Sequence, residues 1–238
     1  MRRLPATPEL LDGPLDDVAA LRGNLRDLRR VNRYLGGSLL SGQAVDVLLA
    51  GERGPHSLLD VGTGAADIPL ALLRAAAAGG RDLRIVGLDS RPEVLEAARS
   101  IDPRLGDLRN LQLSTADARA LPYPDRTFDI VHASLVVHHL EPVEAVAFLR
   151  EARRVARLGV VVNDLVRGRL QWAGAWLLTR LATRNPLTRH DGPLSVRRAY
   201  TRLETRALFE SAGLRPVGEF VGAFGHRVAF AAVPIPES

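Results

Sequence analysis

The stretch Ser57-Leu58-Leu59-Asp60-Val61-Gly62-Thr63-Gly64-Ala65-Ala66-Asp67 decides the reading of this chain. A short apolar run ends in a glycine turn, and an Ala/Leu-rich helical pattern follows at once, over 68–78. A strand, a glycine turn and a helix start make a cradle. The glycines let the backbone approach a ligand, and free N–H groups point at it. A dinucleotide fingerprint needs a third glycine three residues after the second. That position is Asp67, whose carboxylate would repel a pyrophosphate, and Asp60 stands just before the turn. Carboxylates on both sides suit a cationic ligand.

Outward from this point the rhythm is regular. Strands read at 84–88, 111–114, 128–133 and 159–163, with helices at 92–99 and 142–156 between them. Alternating strands and helices imply a parallel sheet covered on both faces. The order then stalls in a mostly helical insertion, 165–195. A helix at 201–211 and two closely spaced strands, 214–221 and 226–233, end the pattern as a hairpin. Before the first strand, apolar residues recur at three and four from Asp16 to about Leu49, broken at Gly36-Gly37, which gives one or two helices. Residues 1–14, with Pro5, Pro8, Gly13 and Pro14, read as a loose leader. No repeats or clean linker stand out, so one domain is expected, with a helical cap (15–50), a core (57–163), a lid insertion (165–195) and a final helix and hairpin (200–233).

Composition excludes several classes. The 238 residues are 46% apolar and 25% charged, which suits a folded globular domain. There is no cysteine, which removes disulfides, thiolate metal sites and a Cys nucleophile. All 32 basic residues are arginine, so a P-loop or Schiff-base lysine is excluded. The net charge of +5 is spread along the chain and aromatics are only 5%, so a nucleic-acid partner is not expected. No apolar run reaches the ~18 residues of a membrane span. Met1-Arg2-Arg3-Leu4-Pro5 is basic but lacks a following apolar core, so a cytoplasmic protein is expected.

Four motifs in order resemble the class I S-adenosylmethionine-dependent methyltransferases. Leu58–Ala66 is similar to the family's acidic residue plus GxG, with Ala66 where many members have a third glycine. Gly87-Leu88-Asp89-Ser90 resembles the second-strand end, where an acidic residue binds the ribose hydroxyls. Thr115-Ala116-Asp117-Ala118 resembles the adenine site, with aspartate on the amino group and the next N–H on the ring. Leu121–Asp125 followed by Phe128–Val131, and then Leu135–Leu140, resemble the segments around strand four. The Pro-Gly-Gly turn usual before strand five is absent; Arg157-Leu158-Gly159 stands there. The resemblance implies a doubly wound, mostly parallel seven-stranded sheet and S-adenosyl-L-methionine as cofactor. It makes Asp60, Gly62, Gly64, Asp67, Asp89, Ser90, Asp117, Ala118 and Ser134 the candidate cofactor residues. Each aspartate also has a structural reading: Asp60 orienting its turn, Asp89 capping the next helix, Asp117 in an Asx-turn, Asp67 serving the helix dipole.

A general base for an acidic hydroxyl would suit histidine. His138 and His139 follow strand four, at the end of the sheet where α/β ligands bind, and His190 sits in the insertion; these three are the catalytic candidates. His56, at the wrong end of the sheet, His132, within a strand, and His226, in the hairpin, are not. No carboxylate cluster stands near the candidates in sequence, so no metal is expected. In the insertion, Trp172 and Trp176 share a helical face with arginines at both ends. That pattern suits a lid over a greasy acceptor, an interfacial membrane helix, or plain core. The polar segment 24–37, with Asn163-Asp164-Leu165 and the stretch 190–200, is similar to small bacterial methyltransferases accompanying type III polyketide synthases.

The expected function is methyl transfer to a small aromatic or polyketide-like acceptor, on oxygen, in secondary metabolism. C-methylation of a quinone precursor and a non-catalytic cofactor-binding module are the alternatives. The (N/D)PP(Y/F) signature of amino-methylating enzymes is absent after strand four, where Ala133-Ser134-Leu135-Val136 stands. Sequence assigns no oligomeric state.

Overall fold

A computed structural model describes residues 1–5 and 7–236. Its centre is a seven-stranded sheet in the order β3-β2-β1-β4-β5-β7-β6. The strands are β1 His56–Val61, β2 Leu83–Asp89, β3 Leu111–Thr115, β4 Phe128–Ser134, β5 Ala156–Leu165, β6 Leu214–Val221 and β7 Arg227–Pro234. β1 to β5 pair in parallel, and β7 runs antiparallel between β5 and β6. This is the expected doubly wound sheet closed by a hairpin.

The near-continuous apolar runs follow from burial on both faces. Successive side chains point to opposite sides of a strand. Leu58, Ile85, Ile130 and Val161 therefore pack under α2 Gly37–Leu48 and α3 Asp67–Ala78. Leu59, Val131, Val160 and Val162 pack under α5 Pro142–Val155 and α8 Arg202–Ser211. α1 Val18–Tyr34 and α4 Pro92–Ile101 meet in a smaller cluster of Leu21, Leu25, Val94 and Ala97. The break at Gly36 is a left-handed turn, φ +82°, which glycine adopts without a Cβ penalty. β5 starts three residues before the expected 159, at Ala156, because Phe128 of β4 already pairs with it.

Two expectations are corrected. The described residues of 1–14 are not a loose leader. Arg3 donates to Glu141 at 2.8 Å and to the Leu140 carbonyl at 2.8 Å, and Leu10–Asp12 forms a 3-10 turn docked on the helix Pro186–Arg198 by Asp191, which accepts from the Leu10 and Leu11 N–H groups. The insertion folds as α6 Arg169–Ala182 and α7 Pro186–Arg198. Of α6, Thr179 alone is buried, whereas Leu170, Trp172, Trp176, Leu177 and Leu181 are exposed. Plain core is therefore not the role of its tryptophans. No helix among the described residues is long and apolar enough to cross a membrane.

Candidate active site

The parallel register brings Asp60 beside Gly87 of β2 and His132 of β4, and the carboxyl ends of β1, β2 and β4 open into one cavity of about 490 Å³. That size suits a small-molecule site. Its floor is the glycine loop. Gly62 and Gly64 have φ +70° and +53°, and a Cβ on Gly62 would run into Val136 Cγ2. The loop tightens through Thr63 N–H to the Leu88 carbonyl, 2.8 Å. Thr63 Oγ is buried without a hydrogen-bond partner.

All nine candidate cofactor residues line this cavity. Asp89 accepts from the Gly64 and Arg91 N–H groups, both at 3.1 Å. It therefore braces the loop and the start of α4 at once, while a carboxylate has about four acceptor positions. Burial raises its pKa against those two hydrogen bonds. Asp67, in the first turn of α3, accepts from Asn32 Nδ2 at 3.0 Å, and its burial also raises its pKa. Asp117 is half-exposed on the rim. It forms the Asx-turn, accepting from Arg119 N–H at 2.9 Å, and a two-pronged pair with the Arg119 guanidinium. Asp60 is buried against His132, Nδ1 to Oδ1 2.6 Å.

Asp60 and Asp67 belong to one buried polar network. His132 Nε2 meets Ser41 Oγ at 2.8 Å, and Asn163 Nδ2 donates to Ser41 Oγ at 2.7 Å. Arg227 Nε donates to Asn163 Oδ1 at 2.6 Å, and Arg227 Nη1 to Asn32 Oδ1 at 2.7 Å. Asn32 closes the chain on Asp67. Arg227 Nη2 donates to Ser134 Oγ at 2.5 Å. Arg227 is fully buried, and loss of hydration pulls its pKa down to about 10. Sequence reasoning missed this residue. Its signal is a single charge at the head of the apolar run 228–233.

The three histidines part company. His139 lines the cavity. His138 is 2% exposed behind it, with Nδ1 on Asp164 Oδ1 at 2.7 Å and its backbone N–H on Asp164 Oδ2 at 3.0 Å. His138 outweighs burial and holds Asp164 below its ordinary pKa. His190 is not brought to the cavity. It is half-exposed on α7 and bonded to its neighbour Asp191 at 2.7 Å.

The premise that carboxylates lie far from these histidines also fails. The docked N-terminal segment puts Glu9 Oε1 3.7 Å from His138 Nε2, Glu9 Oε2 3.9 Å from His139 Nε2, and Asp12 Oδ1 3.2 Å from His139 Nδ1. Burial pushes Glu9 up to about 7; His139, Ser195 and Arg198 oppose that rise. On Asp12, burial is outweighed by His139, the Glu9 N–H and Arg198, which hold it below the ordinary range.

The cavity's upper wall comes from Leu11, Asp12, Leu25, Leu28 and Asn32, so the cap contributes to it. No residue of 165–195 lines it. Trp172 instead faces a separate groove with Met1, Arg169 and Arg197.

The arrangement fits a cationic, hydroxyl-bearing ligand. Its loop has no room for a side chain at Gly62, and carboxylates converge from β1, β2, α3 and the segment after β3. Residues 58–159 match the family model of a methyltransferase domain. The chain is 30% identical over 111 residues (47% of this chain) to ajmaline N-methyltransferase of Rauvolfia serpentina. It is 31% identical over 100 residues (42% of this chain) to the ubiquinone/menaquinone biosynthesis C-methyltransferase UbiE of Rickettsia akari. These matches cover 36% and 40% of the two relatives, so the chain spans well under half the length of either. A crystal structure of a SAM-dependent methyltransferase from Aquifex aeolicus superposes with a TM-score of 0.63 at 21% identity, over 90% of this chain and 98% of that one. The fold is thus the class I methyltransferase fold.

Proposed function

With the match of residues 58–159 to a methyltransferase-domain model as the premise, we propose that this chain binds S-adenosylmethionine in the cavity above the glycine loop. It transfers the methyl group to a hydroxyl of a small aromatic or polyketide-like acceptor. The observation that carries the reading is the convergence of Asp60, Asp67, Asp89 and Asp117 on a glycine-floored cavity. Carboxylates there attract a sulfonium and an ammonium, and Asp89 retains acceptor positions for a ribose diol.

The cofactor supplies an already activated methyl group, which moves in line from sulfur to the attacking atom. The chain's residues then have to position two molecules and receive one proton. The cap residues Leu25 and Leu28 with Val136 and Leu140 give the acceptor an apolar surround. His139, on the cavity wall, is the group that receives the hydroxyl proton. His138 acts behind it as a positioning residue, fixed by Asp164. His190 has no part.

C-methylation of a quinone precursor is the second reading. The match to the Rickettsia enzyme favours it, since that protein's name states such a reaction. Isothermal calorimetry with the methyl donor and its demethylated product tests the binding step. Labelled donor offered to phenols, quinols, fatty acids and RNA tests the transfer, and product analysis separates O- from C-methylation. Folded protein that binds neither donor nor product overturns the reading. Binding without turnover of any acceptor leaves the non-catalytic module.

A further inference from the structure

The Glu9–His138–His139 cluster brings one carboxylate and two imidazoles together, the rings 4.2 Å apart between centroids. The Nε2 atoms of both histidines converge on Glu9, whose carboxylate oxygens lie 3.7 and 3.9 Å away, and one ligand atom from each of the three residues falls within 4.8 Å of the others. Those gaps are too long for hydrogen bonds. They are a few tenths of an ångström beyond the roughly 3.3 Å that separates two ligands on one tetrahedral zinc ion, given bond lengths of about 2.0–2.2 Å.

A second, independent feature is the other side of each ring. His138 Nδ1 is held by Asp164 at 2.7 Å, whereas His139 Nδ1 lies 3.2 Å from Asp12 and makes no hydrogen bond. A carboxylate on the far nitrogen is how metal-bound histidines are oriented and made more basic. Glu9 is fixed in turn by Ser195 Oγ at 2.9 Å. The charge also suits a dication. Arg198 lies 3.0 Å from Asp12 and 3.8 Å from Glu9 and offsets one of the three carboxylates Glu9, Asp12 and Asp164. Arg227 also lies near Asp164, so the carboxylates are only partly offset. Arg3 is taken by Glu141.

We propose that Glu9, His138 and His139 bind one divalent cation of the zinc type, with Asp164 orienting His138. Two imidazoles and a carboxylate suit such a cation rather than magnesium or calcium, which prefer all-oxygen shells. The site ties the N-terminal segment to the turn after β4, so binding also fixes the wall made by Leu11 and Asp12. His139 and Asp12 border the cavity. On the reading of the cavity given above, the bound cation would meet the acceptor oxygen there, and its charge would replace His139 in favouring the deprotonated form.

The test uses full-length protein stripped with a chelator and dialysed. Zn²⁺ is titrated by calorimetry and by competition with a chromophoric chelator, and Co²⁺ is added separately for its visible absorption. One equivalent of Zn²⁺ is expected, with no response to Mg²⁺. Glu9→Gln and His139→Ala should abolish the stoichiometric site, and Asp164→Asn should weaken it about 10–100-fold. Circular dichroism and S-adenosylmethionine calorimetry on each variant confirm folding independently of the metal. The proposal is overturned if wild-type protein takes up no Zn²⁺, or if the Glu9→Gln/His139→Ala double variant takes up as much as wild type. Either result leaves cofactor binding, and with it the methyl-transfer reading, untouched.

Discussion

Asp89 holds two backbone N–H groups and still borders the cavity. If it also takes a ribose diol, Asp89→Ala should weaken S-adenosylmethionine by roughly 2–4 kcal/mol, since hydrogen bonds to charged groups contribute about 1.5–3 kcal/mol each. Calorimetry on the folded variant reads this, and unchanged affinity would reduce Asp89 to a brace of the glycine loop. Arg227 offers a stability counterpart. It is fully buried and donates to Asn32, Asn163 and Ser134. Arg227→Leu strands those acceptors and removes the cation near Asp67 and Asp164, so a loss of about 3–5 kcal/mol is expected in denaturant unfolding. A loss under about 1 kcal/mol would mean the network relaxes around the gap.

At the scale of elements, the start of β4 is pinned to β1 through Asp129. Its Oδ2 accepts from the Ser57 N–H at 2.8 Å, and its Oδ1 from Arg157 Nε at 2.7 Å. Burial works to raise its pKa, but these partners outweigh it and the group titrates below its ordinary 3.8. A carboxyl lowered on folding stabilises the fold above the unfolded pKa, and that contribution is lost as pH falls through the folded value. Asp129→Asn should therefore be less stable than wild type at pH 7. The gap should close as both are titrated below about pH 4. Thermal melts across pH check this, and a pH-independent gap would show that the hydrogen bonds, not the charge, hold the strands. Gly62 has a different constraint. Gly62→Ala combines φ +70° with a clash against Val136. Its cost should be about 1–3 kcal/mol, measured by the same melts, with cofactor affinity falling as the loop shifts.

The whole molecule divides its two outer helical segments by role. α1 and the turn Leu10–Asp12 wall the cavity, while α6 leans outward with its tryptophans half-exposed. Hydrogen exchange should show α1 and residues 10–12 gaining protection on adding S-adenosylmethionine, and α6 unchanged. Trp176→Ala should shift cofactor affinity by less than about twofold, as surface substitutions do. Protection spreading over α6 would restore the insertion as a lid.

The sheet, its order of elements and the cavity floor were legible in the chain because they rest on local signals. Near-continuous apolar runs mark 57–61 and 128–133, glycines at 62 and 64 mark the turn, and carboxylates at 60, 89 and 117 end successive strand units. Parallel register converts those local positions into one cluster automatically. The tertiary structure alone decided which surface covers that cluster. Glu9 meets Ser195 across 186 residues, and Arg227 meets Asn32 across 195. Such pairings leave no periodicity, because each is set by how finished elements pack. The proline-rich start therefore reads as loose although it is docked. His190 reads as a neighbour of the site although α7 turns it away, and the Trp-bearing helix reads as a lid although its apolar side faces outward.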